Sequence, residues 1–368
     1  MNYRLSTILD RELHSADTTK VIDITLADPV SRIAVLYEPL NGAEATPDGH
    51  PAKCISKIEL VDGSDVLYSL SGQEAQAADW YNNLTEPANL MCYLNGMTAE
   101  MVYNINFGRH LWDPMFAFDP KKFNNPQLKI TIDINGGGCT VASGYLTVQA
   151  HIFDEKKVTP AGFFMHKEIK DYALGAGTHE YTDMPTDFIY RKLFARIQKY
   201  AAGLELSFGK VKLTEDNDRR VPYNHTIFEI LKAIVGNGPA YREMIITHGP
   251  GPTTSRYYYN TPCYWPIFAS TGWTSGATAQ AVNAYEGDGG RFLTLNTTAG
   301  FNLSHLCQGY CPHGTIEIPF GLQDDPTDWY DVTKVGNLKL DLTSGSTMSS
   351  TYSCQLFLQQ MRSYGGAA

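Results

Sequence analysis

Apolar and polar residues alternate along most of this chain, the period of a half-buried β-strand. "KVIDITLA" sets Val21, Ile22 and Ile24 among polar residues, and "SRIAVLYEP" follows the turn signal Asp28-Pro29. "CISKIELVDGSDVLYSL" predicts a hairpin. Ile55, Ile58 and Leu60 on one arm face Val66, Tyr68 and Leu70 on the other, across the tight-turn dipeptide Asp62-Gly63. Further strands are expected at 101–107, 128–134 and 144–153. Two segments break the period. Ser71-Gly72-Gln73-Glu74 has the form of a capping box, which predicts a helix to about residue 83. Residues 1–18 place Leu5, Ile8, Leu9 and Leu13 at helical spacing. They predict a short amphipathic arm, packed on its own chain, on a neighbouring subunit or on lipid, with protein as the default.

The pattern then restarts. Strands are expected at 163–172 and 187–198, a strand pair within 204–224, and final strands at 315–320, 338–342 and 352–361. Between them "NHTIFEILKAIVG" predicts a helix with Asn224 as N-cap and Gly236 as its stop, and with Ile227, Leu231, Ile234 and Val235 on one face. The halves also share a phrase. "FDPKKFNNPQLKITIDING" at 118–136 and "QDDPTDWYDVTKVGNLKLDLTSG" at 323–345 each run from Asp-Pro through an aromatic to Leu-Lys and an alternating strand. Leu60 and Leu128 are 68 residues apart, whereas Leu213 and Leu338 are 125 apart, so the second half carries an insertion of 57. That is close to the length of the Gly-, Pro-, Thr- and Tyr-rich stretch at 248–290. Loops absorb such insertions because closure entropy grows only with the logarithm of length.

These elements predict an all-β chain: two tandem eight-stranded jelly rolls with short helices and a long loop insertion in the second. Its 368 residues exceed what one core usually organises. The expected division is an arm over 1–18, a first roll over 19–158 and a second over 159–368, with the insertion around 248–300. Charged residues make up only 18%, against about 25% in an ordinary soluble domain, and there are 22 Tyr. Such a surface suits burial against partner subunits. The net charge of −10, with Arg219-Arg220 and Lys121-Lys122 as isolated pairs, excludes phosphate gripping as the main task. Seven cysteines without CxxC fit buried thiols in a reducing compartment. No secretory leader opens the sequence and no apolar run approaches a membrane span, so synthesis in a cytoplasm is expected.

Little catalytic chemistry is legible. Cys307, Cys311 and His313, with His305 nearby, have a C-x3-C-x-H spacing that is not a standard zinc pattern. Asp324, Asp325 and Asp328 could hold calcium but read more simply as a solvated Asp-Pro turn. There is no G-x-S-x-G, and "GPGP" at 249–252 lacks the Lys-Ser/Thr of a P-loop. "GDGG" at 287–290 reads as a turn, and His248 as structural. No cofactor is expected.

The hairpin-plus-helix "KIELVDGSDVLYSLSGQE" and the closing "IEIPFGLQDDPTDWYDVTKVGNLKLDL" resemble the double jelly-roll major capsid proteins of tailless icosahedral viruses. The likeness extends along nearly the whole chain as an order of elements. It implies upright strands, a homotrimer of near-hexagonal outline, loops forming towers, and a place in the virion shell. The partners it implies are neighbouring trimers, penton and minor capsid proteins, and an internal viral membrane reached by the N-terminal arm, without sequence-specific nucleic acid binding. Contact residues expected on this reading are Leu5, Ile8 and Leu9 of the arm and Tyr257, Tyr258 and Tyr259 of the insertion. "SRYYYNTPCYWPIF" is too aromatic to stand in water and should pack on its own domain or a neighbour. The competing class is a β-sandwich carbohydrate-binding or glycan-acting protein, since tandem jelly rolls occur there too.

Overall fold

The structure, a computed structural model, describes residues 1–42, 47, 49–137, 141–200, 202–248, 256–272, 282–283, 289–294 and 302–365. The first module runs β1 (Tyr3–His14), β2 (Thr18–Asp23), β3 (Val30–Asn41), β4 (Ile55–Asp62), β5 (Asp65–Leu70), α1 (Gly72–Asn83), β6 (Met91–Cys92), β7 (Met101–Asn106), β8 (Pro126–Ile132) and β9 (Val141–Phe153). Its sandwich pairs the sheet β1-β9-β3-β7 with β2-β8-β4-β5.

The second module runs β10 (Gly162–Ala173), β11 (His179–Asp183), β12 (Ile189–Ile197), α2 (Leu204–Ser207), β13 (Phe208–Glu215), β14 (Arg220–Thr226) and α3 (Ile227–Asn237). After the insertion it closes with β21 (Thr315–Pro319), β22 (Leu338–Ser344) and β23 (Ser353–Ser363). Its sheets, β10-β23-β12-β21 and β11-β22-β13-β14, repeat the strand order of the first module element for element. Each is a jelly roll, as the alternation predicts.

The insertion lies between α3 and β21. It contributes β15 (Tyr241–His248), β16 (Arg256–Tyr259), β17 (Pro262–Gly272), β18 (Val282–Asn283), β19 (Arg291–Thr294) and β20 (Asn302–Pro312). One sheet, β17-β20-β15-β6, recruits β6 from the corresponding loop of the first module, and β16-β19-β18 forms a second. The expected long loop is therefore largely strand where it is described.

The N-terminal segment is a correction. Residues 3–14 are not helical: β1 pairs antiparallel with β9, and register shifts at Thr7/Leu9 and Leu9/Glu12 bulge it. Each bulge adds a residue and breaks strict alternation, which brings the apolar positions to a spacing that imitates a helix. Leu5 and Leu13 stay exposed while Ile8 and Leu9 pack on the core. The second helix also shifts. Its N-cap is Thr226, with a capping box to Glu229, and it runs through Gly236 to a cap at Gly238. Both modules thus start this helix with the same reciprocal device, Ser71/Glu74 and Thr226/Glu229.

The doubled phrase has a physical cause. Asp62, which ends β4, accepts the N–H groups of Asn124 and Asn125 at 3.1 and 2.7 Å, just before β8. Asp216, just past β13, accepts those of Gly336 and Asn337 at 3.1 Å, just before β22. A one-turn helix precedes each, capped by Asp119 in the first module and Asp331 in the second. The structural partner of Asp119-Pro120 is therefore Asp331, not Asp325-Pro326. Leu128, opposite Leu60, corresponds to Leu340, opposite Leu213, two residues beyond the Leu-Lys echo. The hairpin turn likewise falls at Gly63-Ser64, where Gly63 has φ 61°, leaving the Asp62 carboxylate free for its capping role.

Candidate assembly surfaces

The modules meet in one eight-stranded sheet, β2-β8-β4-β5-β10-β23-β12-β21. The junction is a short parallel contact between β5 and β10, Tyr68 opposite His166 and Ser69 opposite Lys167. Lys57 on Glu168 at 3.0 Å and Arg362 on Asp65 at 2.5 Å pin it from either side.

Across this seam lies α1, buried from Gly72 to Tyr81 although it is rich in Gln, Asp and Glu. Its polar groups are matched rather than excluded. Gln73 Oε1 accepts from Arg196 at 2.5 Å, Gln76 Oε1 accepts from His313 Nε2 at 2.9 Å, and the Tyr81 carbonyl accepts from Lys192 at 2.6 Å. Asp79 accepts from Asn104 and Asn106 of β7. Burial without these bonds would cost about 1–3 kcal/mol per group. Gly72 fits because an added Cβ would meet the Ala52 carbonyl and lie 2.7 Å from the Tyr103 ring.

The opposing face belongs to β12, whose Lys192, Phe194 and Arg196 point at α1 while Leu193, Ala195 and Ile197 line the second core. Both faces of β12 are thus buried. The string "RKLFAR" looks like a solvated edge in sequence and gave no signal of this. Burial raises the Glu74 carboxyl to about 7, and it lowers Lys192 and brings His166 to about 3. Burial lowers Arg191 to about 10. It stacks 4.8 Å from the Phe164 ring and donates to Asn82 and Gln359.

The insertion is tied back by a buried cluster. Ala52 N–H donates to His50 Nδ1 at 3.0 Å, which leaves Nε2–H to donate to Glu243 at 3.0 Å. Glu243 also accepts from the N–H and hydroxyl of Thr261. The outward face of this sheet is apolar: Met244 lies opposite Leu306, and Leu306 opposite Ala269, with Ile267 two-thirds exposed beside them.

No family model and no curated protein matches the chain. Solved structures do. The STIV major capsid protein superposes with a TM-score of 0.58 at 12% identity, over 98% of this chain and 96% of that one. The major capsid protein P2 of bacteriophage PM2 gives 0.55 at 10%, over 99% and 100%. PBCV-1 VP54 gives 0.56 at 9%, over 98% and 94%. The fold is the double jelly roll of viral major capsid proteins.

Within this double jelly roll the expected contact residues separate. Leu5 is 52% exposed on β1. Ile8 and Leu9 are half-buried against the first core, so of these three arm residues Leu5 is the one that stands clear of its own chain. Tyr258 is buried against Tyr93 and Phe292, and Tyr259 against Tyr200. Tyr257 is half-buried with Arg291 over its ring at 4.1 Å. The three tyrosines therefore pack on their own chain, while Trp265 and Ile267 of the same stretch stay 52% and 67% exposed. Cys307 and Cys311 are buried thiols raised by burial, and His313 serves the Gln pair of α1. Among the described residues no group of three or more His, Cys, Asp or Glu is placed to hold a metal. Asp325 accepts from Thr327 and Asp328 from Leu322 N–H, both within the turn. The side chain of His248 lies outside the described residues, as does "GPGP", while Gly289-Gly290 forms a turn.

Proposed function

We propose that this chain is the building block of a virion shell, three copies forming a pseudo-hexagonal homotrimer that tiles an icosahedral capsid. The observation that carries the reading is the extent of the likeness. Both modules, their order and their seam span 94–100% of three capsid proteins. Two similar modules per chain let a three-fold assembly present six similar sides, so few distinct contacts close a shell. Low charge and the apolar outer face of the insertion sheet suit surfaces covered on assembly. A closed shell needs five-fold vertices, which brings penton and minor proteins as partners. An internal membrane beneath the shell is a partner on the strength of the resemblance, and the segment that would reach it is the strand β1.

Native mass spectrometry with negative-stain microscopy of the purified chain tests the reading. Trimers of hexagonal outline are expected. A stable monomer that binds glycans on an array would overturn it in favour of the carbohydrate-binding class.

A further inference from the structure

The chain joins its jelly rolls edge to edge at β5 and β10 and, among the described residues, leaves both halves of a second such junction open. The fifth strand of the second module, β14, is the edge of its sheet, and the first strand of the first module, β1, is the edge of the opposite one. Neither has a further strand beside it among the described residues. We propose that a second copy of this chain docks β1 in parallel along β14, repeating between copies the β5–β10 junction found within one. The proposal rests on the trimer reading and specifies its contact.

The strand registers identify the residues. Tyr68 lies opposite Leu60 and Tyr223 opposite Leu213, and Leu60 and Leu213 face the equivalent residues Leu128 and Leu340. Tyr223 and Asn224 therefore occupy the places of Tyr68 and Ser69. On the other side, Glu168 and Thr7 each stand just before a bulge. Glu168 pairs with Phe357 and Thr7 with Gln149, and these face Phe194 and Ala34 on the third strand of each module. Leu5 and Ser6 therefore occupy the places of His166 and Lys167. Within the chain the Tyr68 ring sits 5.4 Å from the His166 ring. Between copies Tyr223 would cover Leu5, which is otherwise 52% exposed. Pro222 lacks an N–H, so it limits how far the added strand can zip, in keeping with a short seam.

A second pair of positions agrees independently. The capping boxes align Gln73 of α1 with Phe228 of α3, and the ladders align Arg196 with Leu36. Inside the chain Gln73 and Arg196 bond to each other. At the open junction both have become apolar. Phe228 is 60% exposed, and Leu36 lines a groove of about 560 Å³ in which Ala34 and Val102 stand among Arg32, Glu86 and Asn104. A polar pair replaced on both sides by an apolar pair puts an apolar contact with a polar rim at the matching place between copies. The occupant is a second copy because the chain already shows the geometry by which its first-module partner is held.

The test pairs Leu5→Cys with Tyr223→Cys, with each single variant as control; the six described native cysteines are buried. Wild-type trimers by native mass spectrometry, plus covalent dimers and trimers of the double variant on non-reducing gels, are the expected result. Wild-type trimers without cross-links above the controls would overturn this docking and leave the trimer reading standing. A monomeric wild type would overturn both. Phe228→Asp changes an exposed side chain, so it should keep the circular dichroism of the wild type while lowering the trimer population at least tenfold; an unchanged trimer population contradicts the proposal.

Discussion

At the scale of single residues, carboxylates do two different jobs. Asp62 and Asp216 hold backbone N–H groups at the edge of water, and Glu74 and Asp79 are buried among amides. Asp62→Ala should cost about 1–2 kcal/mol, seen as a lower denaturant midpoint with unchanged slope, because two N–H groups lose their acceptor. The buried imidazoles set a pH response. His166 is held to about 3 and His305 to about 4 by burial, while the unfolded chain takes up those protons near 6.5. Below pH 6.5 the unfolded state therefore binds more protons, and stability falls as pH drops toward those values. Glu74 acts in the opposite sense. Its folded value of about 7 exceeds the ordinary 4.5, so lowering the pH from 7 to 4.5 favours the folded chain. Below 4.5 this compensation is spent. Thermal melts from pH 7 to 3.5 should show the steepest loss below pH 4.5. His166→Gln should flatten that slope by up to about 1.4 kcal/mol per pH unit. An identical slope in the variant would show that His166 is not protonated on unfolding.

At the scale of elements, the hairpins, α1 and the closing strands were legible because alternation and capping act locally. β4, β5, β21 and β22 fall where the pattern put them. What escaped was decided by distant chain. Bulges in β1 turned an alternating strand into an apparent helix, and only pairing with β9 fixes them. The Thr226/Glu229 box is present in the sequence, but Asn224 two residues earlier is an equally good cap type, and only the pairing of β14 with β13 through Thr226 places the helix start. The cationic face of β12 was unreadable, since the groups that satisfy it come from α1 and lie over 100 residues away. The contact candidates divide likewise. Leu5 was identified by apolarity and is exposed, whereas Tyr258 and Tyr259 were apolar enough to be buried first. Tyr258→Ala should therefore destabilise the insertion by about 3 kcal/mol in the chain itself, whatever its oligomeric state. Hydrogen exchange should show protection lost in β16, β19 and β15 and retained in β4 and β8. Loss of trimers with full protection of the insertion would contradict this assignment.

At the scale of the whole molecule, a net charge of −10 on every copy opposes association at low salt. Mass photometry at 50 and 500 mM salt should show more trimer at the higher concentration; the reverse would mean that ion pairs, not apolar contacts, dominate the interface. The duplicated fold economises on distinct surfaces, yet the modules are unequal. The first keeps α1 buried beneath its neighbour, while the second holds α3 with most of its surface open. That inequality orders events during synthesis. When the first jelly roll leaves the ribosome, Gln73 and β6 lack their partners and Gln76 keeps only Asn89 and the Val102 carbonyl of its own module, because Arg196, His313 and β15 follow later in the chain. The central strand of the second module's inner sheet, β23, arrives later still and must enter between β10 and β12. The nascent chain must hold an open polar helix and a gapped sheet in solution for most of its translation, a state in which exposed edges invite aggregation. Refolding yield is therefore expected to fall as chain concentration rises and to recover when a chaperone is added.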